Sequence, residues 1–436
     1  MYNMGNVISI KTAVAICLSA ILGDTLFAVS GVPIAQAGFG SIFAYVIVAI
    51  FAVLVAIMFG ELSAVMPNEK GLAYSYVHRV FGTELGFITG ILLYMGYLTT
   101  ISAVSFSFGS YFLALLNISS IPLQIFIAIC LILGISFLNT LGLKETTKLS
   151  GVLIGITLLT AVAFVAFAFL HQPSIPSNFV NSPVQDGFTP FEAAITAVVF
   201  AYAGFQTVVS LTKNVKGKGA GVKKVMVYSL LISAVVYIAV TFALMTLVPA
   251  SQFTLNSSPL TYALHYSNAP QYITTLITVG SLVAIAASII TLIMISSRLI
   301  YQMGVDGLLP QITKKYDISR DVAVNGIWIS AAIEIVVLFS GNIYTMLSIS
   351  NFGIILSWLM GVLALLNISR RTRSMQFKIP YYPYTMIIAI FGCIFFLFGL
   401  PKESLAIGVV LILLLLVIYY TVIELKYKKV NRVRLF

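Results

Sequence analysis

Charge is what this sequence has least of. Only 8% of its 436 residues are Asp, Glu, Lys or Arg, while 60% are hydrophobic. Soluble domains carry about 25% charged and about 45–50% apolar residues. At a mean hydropathy of +1.06 a water-soluble fold would leave far too much apolar surface exposed. A soluble enzyme, a nucleic-acid-binding domain and a secreted scaffold are therefore excluded. Cysteine is almost as scarce. Cys17, Cys130 and Cys393 are odd in number, lie inside apolar runs and lack metal-ligand spacing, so packing is their expected role. His78, His171 and His265 form no metal cluster either, and neither a metal nor a cofactor is expected. No nucleophile, base and metal set is visible, which argues against an enzyme. No Gly-x-x-x-x-Gly-Lys-Ser/Thr loop is present, which argues against a nucleotide-driven pump.

What is there is a series of apolar segments, each near the ~20 residues that cross a bilayer. Twelve spans are expected, at 8–35, 41–66, 83–115, 121–140, 150–171, 189–211, 224–249, 271–301, 322–340, 343–367, 383–400 and 404–425. The first lacks a basic leader and a small-residue cleavage site and is too long for a signal peptide. Basic residues test the count. With the N-terminus inside and every span crossing once, all of the 24 Lys and Arg residues except Lys402 fall on one side. That bias predicts a multi-pass cell-membrane protein with both termini cytoplasmic. The net charge of +11 is thus read as topological, with the lipid bilayer as the partner and no nucleic acid. The loop from Lys216 to Gly221 is expected to be a flexible basic anchor, with a lipid-headgroup or regulatory role as the alternative.

Two spans carry interruptions. Span 1 reads Leu22-Gly23-Asp24-Thr25, a glycine beside an ionisable residue in mid-membrane. A charge there costs at least ~2.5–3.5 kcal/mol on insertion scales, so it must face protein or water. Span 6 reads Tyr202-Ala203-Gly204-Phe205-Gln206. Spans 1 and 6 each open a group of five, and interruptions at corresponding places point to an inverted-repeat transporter. Non-helical backbone is expected within about two residues of Gly23 and of Gly204. The alternative reading of each glycine is close helix packing.

These residues resemble the amino acid–polyamine–organocation superfamily of transporters. Gly23-Asp24-Thr25-Leu26-Phe27 is similar to the family's Gly-Ser-Gly-Ile-Phe break. Glu61-Leu62, Pro67, Gly71, Tyr74 and Tyr76 follow its Glu-Leu…Pro…Gly-Gly-x-Tyr-x-Tyr stretch, and Phe200 to Phe205 match its Phe-Ala-Tyr-x-Gly-Phe run. Ser297-Arg298-x-x-Tyr301-x-Met303 followed by Asp306-Gly307-Leu308-Leu309-Pro310 resembles its most specific signature. Three departures stand out: Asp24 replaces a small residue, Gln206 an acidic one, and the Lys-Asn-Pro run reads Lys213-Asn214-Val215. The span 5 lysine of some proton-coupled relatives is absent, since residues 149–171 contain no Lys or Arg.

The resemblance implies an all-α integral membrane protein with 12 transmembrane helices. Residues 1–171 and 189–368 would be the five-plus-five inverted repeat with broken helices 1 and 6. Helices 11 and 12 would occupy 383–425 and a basic cytoplasmic tail 426–436. It implies alternating access around a midplane site, with the N–H groups of Thr25, Leu26 and Phe27 meeting a carboxylate. The carbonyls of Ala20, Ile21, Phe200 and Ala201 would meet an ammonium, and Phe200 or Tyr202 would cover the site. Gly96 and Thr100 are placed by register in a side-chain pocket. Asp24 is read as a proton site, an ion-pair partner of a substrate amine, or a helix cap. Glu334 is a second candidate proton site, and Ser288 and Thr291 are candidate ion ligands. The expected function is secondary active transport of amino acids, proton-coupled or by exchange. A polyamine or organic cation carrier and a non-transporting amino acid sensor are the rivals.

Overall fold

The computed structural model describes residues 8–67, 69, 71–171, 188–253, 257–340, 343–371 and 379–424. Among them there are helices and two isolated β-bridges but no strand. The reason is the solvent that such a composition requires. Within lipid every backbone N–H and C=O must be paired inside the protein, and a helix does this within one segment.

The first helices are α1 (Ile10–Ala28), α2 (Gly31–Ala37), α3 (Gly40–Val65), α4 (Leu72–Phe81), α5 (Thr83–Leu115), α6 (Ile121–Thr140) and α7 (Leu143–His171). Then come α8 (Phe188–Tyr202), a 3-10 segment (Ala203–Leu211), α9 (Lys218–Leu247), α10 (Pro259–Tyr266) and α11 (Gln271–Val305). The series closes with α12 (Val324–Leu338), α13 (Ile343–Arg371), α14 (Tyr384–Phe398) and α15 (Lys402–Ile418). Ten helical segments are long and apolar enough to cross a membrane, and α12 and α14, at 15 residues each, are shorter apolar helices. Two helices were not expected. α4 and α10 have 10 and 8 residues, too short and too polar to register as apolar spans. α4 nevertheless buries Leu72 to Val77.

The helices sort into inner and outer members. α5 is buried on nearly every side, whereas α6 and α15 expose Phe126, Phe137, Val410 and Leu413. Exposed aliphatic and aromatic side chains on an outer helix are what a hydrocarbon solvent permits. α3 packs along α9, α5 along α13 and α11, and α1 along α11 and α9. Small residues let these crossings close. A Cβ on Gly96 of α5 would stand 3.2 Å from the Ser350 carbonyl oxygen of α13. Membrane helices associate largely through such close backbone approach.

Polar bonds gather at the end of the bundle that holds the basic residues. Lys223 at the start of α9 pairs with Glu61 of α3 at 2.7 Å. Arg79 pairs with Glu69 at 2.8 Å. The Tyr74 hydroxyl donates to Asp306 at 2.7 Å, and Arg298 donates to Asp321 at 3.1 Å. Asp317 accepts from the Ser319 hydroxyl and the Arg320 N–H, and these donors hold its carboxyl below the usual range. The Ser-Arg-x-x-Tyr-x-Met…Asp-Gly motif is therefore largely a structural lock at this end. Ile8 also forms a strap there. Its N–H donates to the Asn214 carbonyl at 2.6 Å and its carbonyl accepts from Lys216 at 3.0 Å. The strap ties the start of α1 to the chain just after the 3-10 segment. Lys70 and the basic tail at 426–436 lie outside the described residues.

Candidate functional site

The expected break in span 1 is not at Gly23. α1 is α-helical from Ile10 to Ala28, and the interruption comes at Val29 and Ser30, before α2. The physical reason lies on the neighbouring helix. A Cβ on Gly23 would stand 2.9 Å from Ser288 Cβ and closer still to the Ala284 carbonyl oxygen of α11. Gly23 is thus a close-packing glycine. Residues 25, 26 and 27 lie in helical backbone, where their N–H groups pair with carbonyls four residues earlier.

Span 6 does change geometry. α8 ends at Tyr202, and the next nine residues, Ala203 to Leu211, form a 3-10 helix. Runs of more than three or four such residues are uncommon and often mark a hinge or strain. Gly204 lies at the start of this run. A Cβ there would stand 2.6 Å from the Ala20 carbonyl carbon and 2.9 Å from the Ile21 nitrogen. Spans 1 and 6 therefore touch backbone to backbone at Ala20, Ile21 and Gly204. Cys17 adds a weak Sγ bond to the Phe205 carbonyl at 3.7 Å.

One side chain bridges both spans at this crossing. The Tyr237 hydroxyl of α9 lies 2.5 Å from the Ile21 carbonyl and 2.8 Å from that of Ala201. Its ring stacks on Tyr45 at 5.3 Å and meets the edge of Tyr202 at 5.4 Å. The Tyr202 hydroxyl donates to the Tyr45 carbonyl at 3.1 Å. A closed aromatic cluster from α3, α8 and α9 thus sits beside two carbonyls from different spans. On the α2 side, the Tyr111 hydroxyl donates to the Phe27 carbonyl at 2.6 Å. Tyr45, Tyr111 and Tyr237 were not singled out by sequence. With 22 tyrosines in the chain, no spacing distinguishes the ones whose hydroxyls reach a foreign backbone.

Several expected site residues meet here: Ala20, Ile21, Phe200, Ala201, Tyr202 and Gly204 are all buried within this crossing. The side chain of Asp24 lies outside the described residues. Gly96 and Thr100 are turned elsewhere. The Thr100 hydroxyl bonds the Gly96 carbonyl at 2.9 Å and Ser350 of α13 at 2.7 Å. Ser288 and Thr291 donate to carbonyls of their own helix, at Ile285 and Ala287. The Ser19 hydroxyl joins Ala287 from α1 at 3.0 Å. Glu334 is on α12, which packs on α5, α6 and α11 and away from the crossing. Gln206 is fully buried, and neither end of its amide meets bonding geometry among the described residues.

A bundle of long apolar helices that cross backbone to backbone at a buried point is that of a multi-pass membrane protein. Comparison with known proteins gives the family: the amino acid permease model matches residues 8–423. The chain belongs to this family, within the amino acid–polyamine–organocation superfamily, and is an amino acid transporter rather than an enzyme. Among similar proteins is the branched-chain amino acid permease BcaP of Lactococcus lactis subsp. cremoris. It is 24% identical over 91% of this chain and 90% of its own length. The methylthioribose transporter of Bacillus subtilis is 23% identical over 88% of this chain and 86% of its own. The serine/threonine exchanger SteT of Bacillus subtilis is 25% identical over 89% and 90%.

Proposed function

We propose that this protein is a secondary active transporter of amino acids across the cell membrane, working by alternating access, with both termini cytoplasmic. In this reading it has twelve spans, the first ten in a five-plus-five inverted repeat over 1–171 and 189–368. Helices 11 and 12 (383–425) and a tail (426–436) follow. The basic bias of the loops supports the orientation.

The observation that carries the reading is the Tyr237 hydroxyl held between the Ile21 and Ala201 carbonyls. Two carbonyls from different spans, aimed at one polar atom in a buried crossing, form a ready acceptor pair for an ammonium group. A substrate amine takes these acceptors by joining or displacing the hydroxyl, while Phe200 and Tyr202 close over it. Coupling runs through a proton, with Asp24 or Glu334 as carrier, or through exchange. The names of BcaP and SteT favour an amino acid as cargo.

A thermal-shift screen of L-amino acids and amines, followed by counterflow of the hits in liposomes, tests this. Ligand binding to the folded state raises apparent stability. Tyr237→Phe removes one buried hydroxyl, and such bonds between membrane helices average about 0.6 kcal/mol, with a maximum of about 1.7. The variant should fold and bind the hit with clearly altered affinity. Affinity identical to wild type would remove Tyr237 and its two carbonyls from the site.

A further inference from the structure

Glu334 is fully buried, and neither carboxyl oxygen has a hydrogen-bond partner among the described residues. Its position is fixed by backbone and by neighbours. The Ser102 hydroxyl of α5 donates to the Glu334 carbonyl at 2.9 Å. One turn earlier, Ser330 shares a hydrogen bond with the Tyr94 hydroxyl of α5 at 2.9 Å. α12 is thus fastened to α5 at Glu334 itself and one turn before it.

No cation faces it. On α5 the ionisable neighbour is Tyr94. α6 carries no Asp, Glu, Lys, Arg or His, and its Cys130 is exposed. α11 contributes Arg298 and Tyr301 near its basic end, with Arg298 paired to Asp321. The short 3-10 turn Gln311–Lys314 packs on the same end of α12 and offers Lys314. An ionised carboxylate sealed among apolar groups without a partner costs far more than a neutral polar group in the same place. The closed interface is therefore compatible with the acid form, and the carboxylate form requires water.

Resting on the transport reading above, we propose that Glu334 is the proton-binding carboxyl that couples this transporter, loading a proton before α12 closes on α5. The proton comes from water on one side, neutralises the carboxylate, and returns to water on the other side when the interface parts. α5 carries the change inward. Tyr94 and Ser102 of α5 hold α12, Thr100 holds α13, and the same helix packs on α1. One helix thus touches the carboxyl-bearing helix and the first span of the proposed substrate site.

The test uses purified full-length protein, wild type and Glu334→Gln, in two measurements. Infrared spectroscopy at neutral pH should show a protonated-carboxyl stretch in wild type that the Gln variant lacks, while Asp24→Asn keeps it. Counterflow in liposomes with a mixture of the twenty radiolabelled L-amino acids should stay within about twofold of wild type in Glu334→Gln. One proton per substrate across one pH unit supports about tenfold accumulation, and this should fall to about onefold in the variant. Glu334→Asp, which keeps an acid, should restore accumulation in part. A band that persists in Glu334→Gln, or tenfold accumulation by that variant, overturns the assignment. Wild type that exchanges none of the amino acids fails the transport reading and this inference with it. Exchange by wild type with full accumulation by the Gln variant fails this inference alone.

Discussion

Adding one methyl group at Gly204 should be among the most damaging small changes in the protein. Ordinary contact begins near 3.4 Å, and a Cβ at Gly204 would stand 2.6 Å from the Ala20 carbonyl carbon, a shortfall of 0.8 Å. The obstructing atoms are backbone, so no rotamer relieves the clash and α1 must move. Overpacking of this kind costs about 1–3 kcal/mol, and a backbone obstacle places Gly204→Ala at the upper end. By the rule of tenfold per 1.4 kcal/mol, 3 kcal/mol is roughly a 140-fold change in the folded ratio. Gly155→Ala on α7 is the control. Nothing lies within 4 Å of a Cβ there, and helix propensity alone favours Ala over Gly by about 0.8–1 kcal/mol. The assay is the midpoint of heat-induced aggregation of detergent-purified protein, read by size exclusion. Gly155→Ala should match or exceed wild type and Gly204→Ala should fall well below it. A Gly204→Ala midpoint equal to that of Gly155→Ala would refute the close-crossing argument.

Three further outcomes are expected. Lys223→Ala leaves Glu61 part-buried without its 2.7 Å partner, so stability should drop by about 1 kcal/mol, and Glu61→Gln in the same chain should recover most of it; no recovery would show the pair to be unimportant. The Asp317 carboxyl is held below its ordinary range by Ser319 and Arg320. Order in the 317–322 turn should therefore be complete above the ordinary carboxylate range and lost as pH falls through the lowered value; amide exchange at Ser319 that is insensitive to acid would contradict this. For orientation, a cysteine at Ser119 should label from outside the cell and one at Lys216 from inside; labelling of both from one side would break the proposed topology.

The long helices were legible because their information is local. About twenty apolar residues in a row suffice, and no partner has to be known. Glycine is different, since the same residue serves a broken helix and a close crossing. At Gly23 only the facing carbonyl of Ala284 decides between them, and that atom is 261 positions away along the chain. At Gly204 both descriptions apply, because the 3-10 segment begins where the backbones touch. The carbonyls of Ile21 and Ala201 were legible as acceptors by resemblance. Tyr237 was not, since nothing local separates a tyrosine facing lipid from one that reaches across two helices. α4 escaped notice because its ten residues are too few and too polar to read as a span, although Leu72 to Val77 are buried against neighbours distant in sequence.

The pairing of α5 with α13 also carries a consequence for how the protein is made. Leu115 ends α5 and Arg371 ends α13, and ribosomes add about 5–20 residues per second, so the earlier helix waits roughly 13–50 s for the later one. Throughout that delay α5 would present hydroxyls to hydrocarbon. Three of them have an acceptor on their own helix: Thr99 bonds to Met95, Thr100 to Gly96 and Ser102 to Leu98. These three hydroxyls are thereby satisfied while the neighbouring helices are still untranslated. When α12 and α13 arrive, Thr100 accepts from Ser350 while still donating to Gly96, and Ser102 divides its single hydrogen between Leu98 and Glu334, so assembly joins the helices without exposing either hydroxyl.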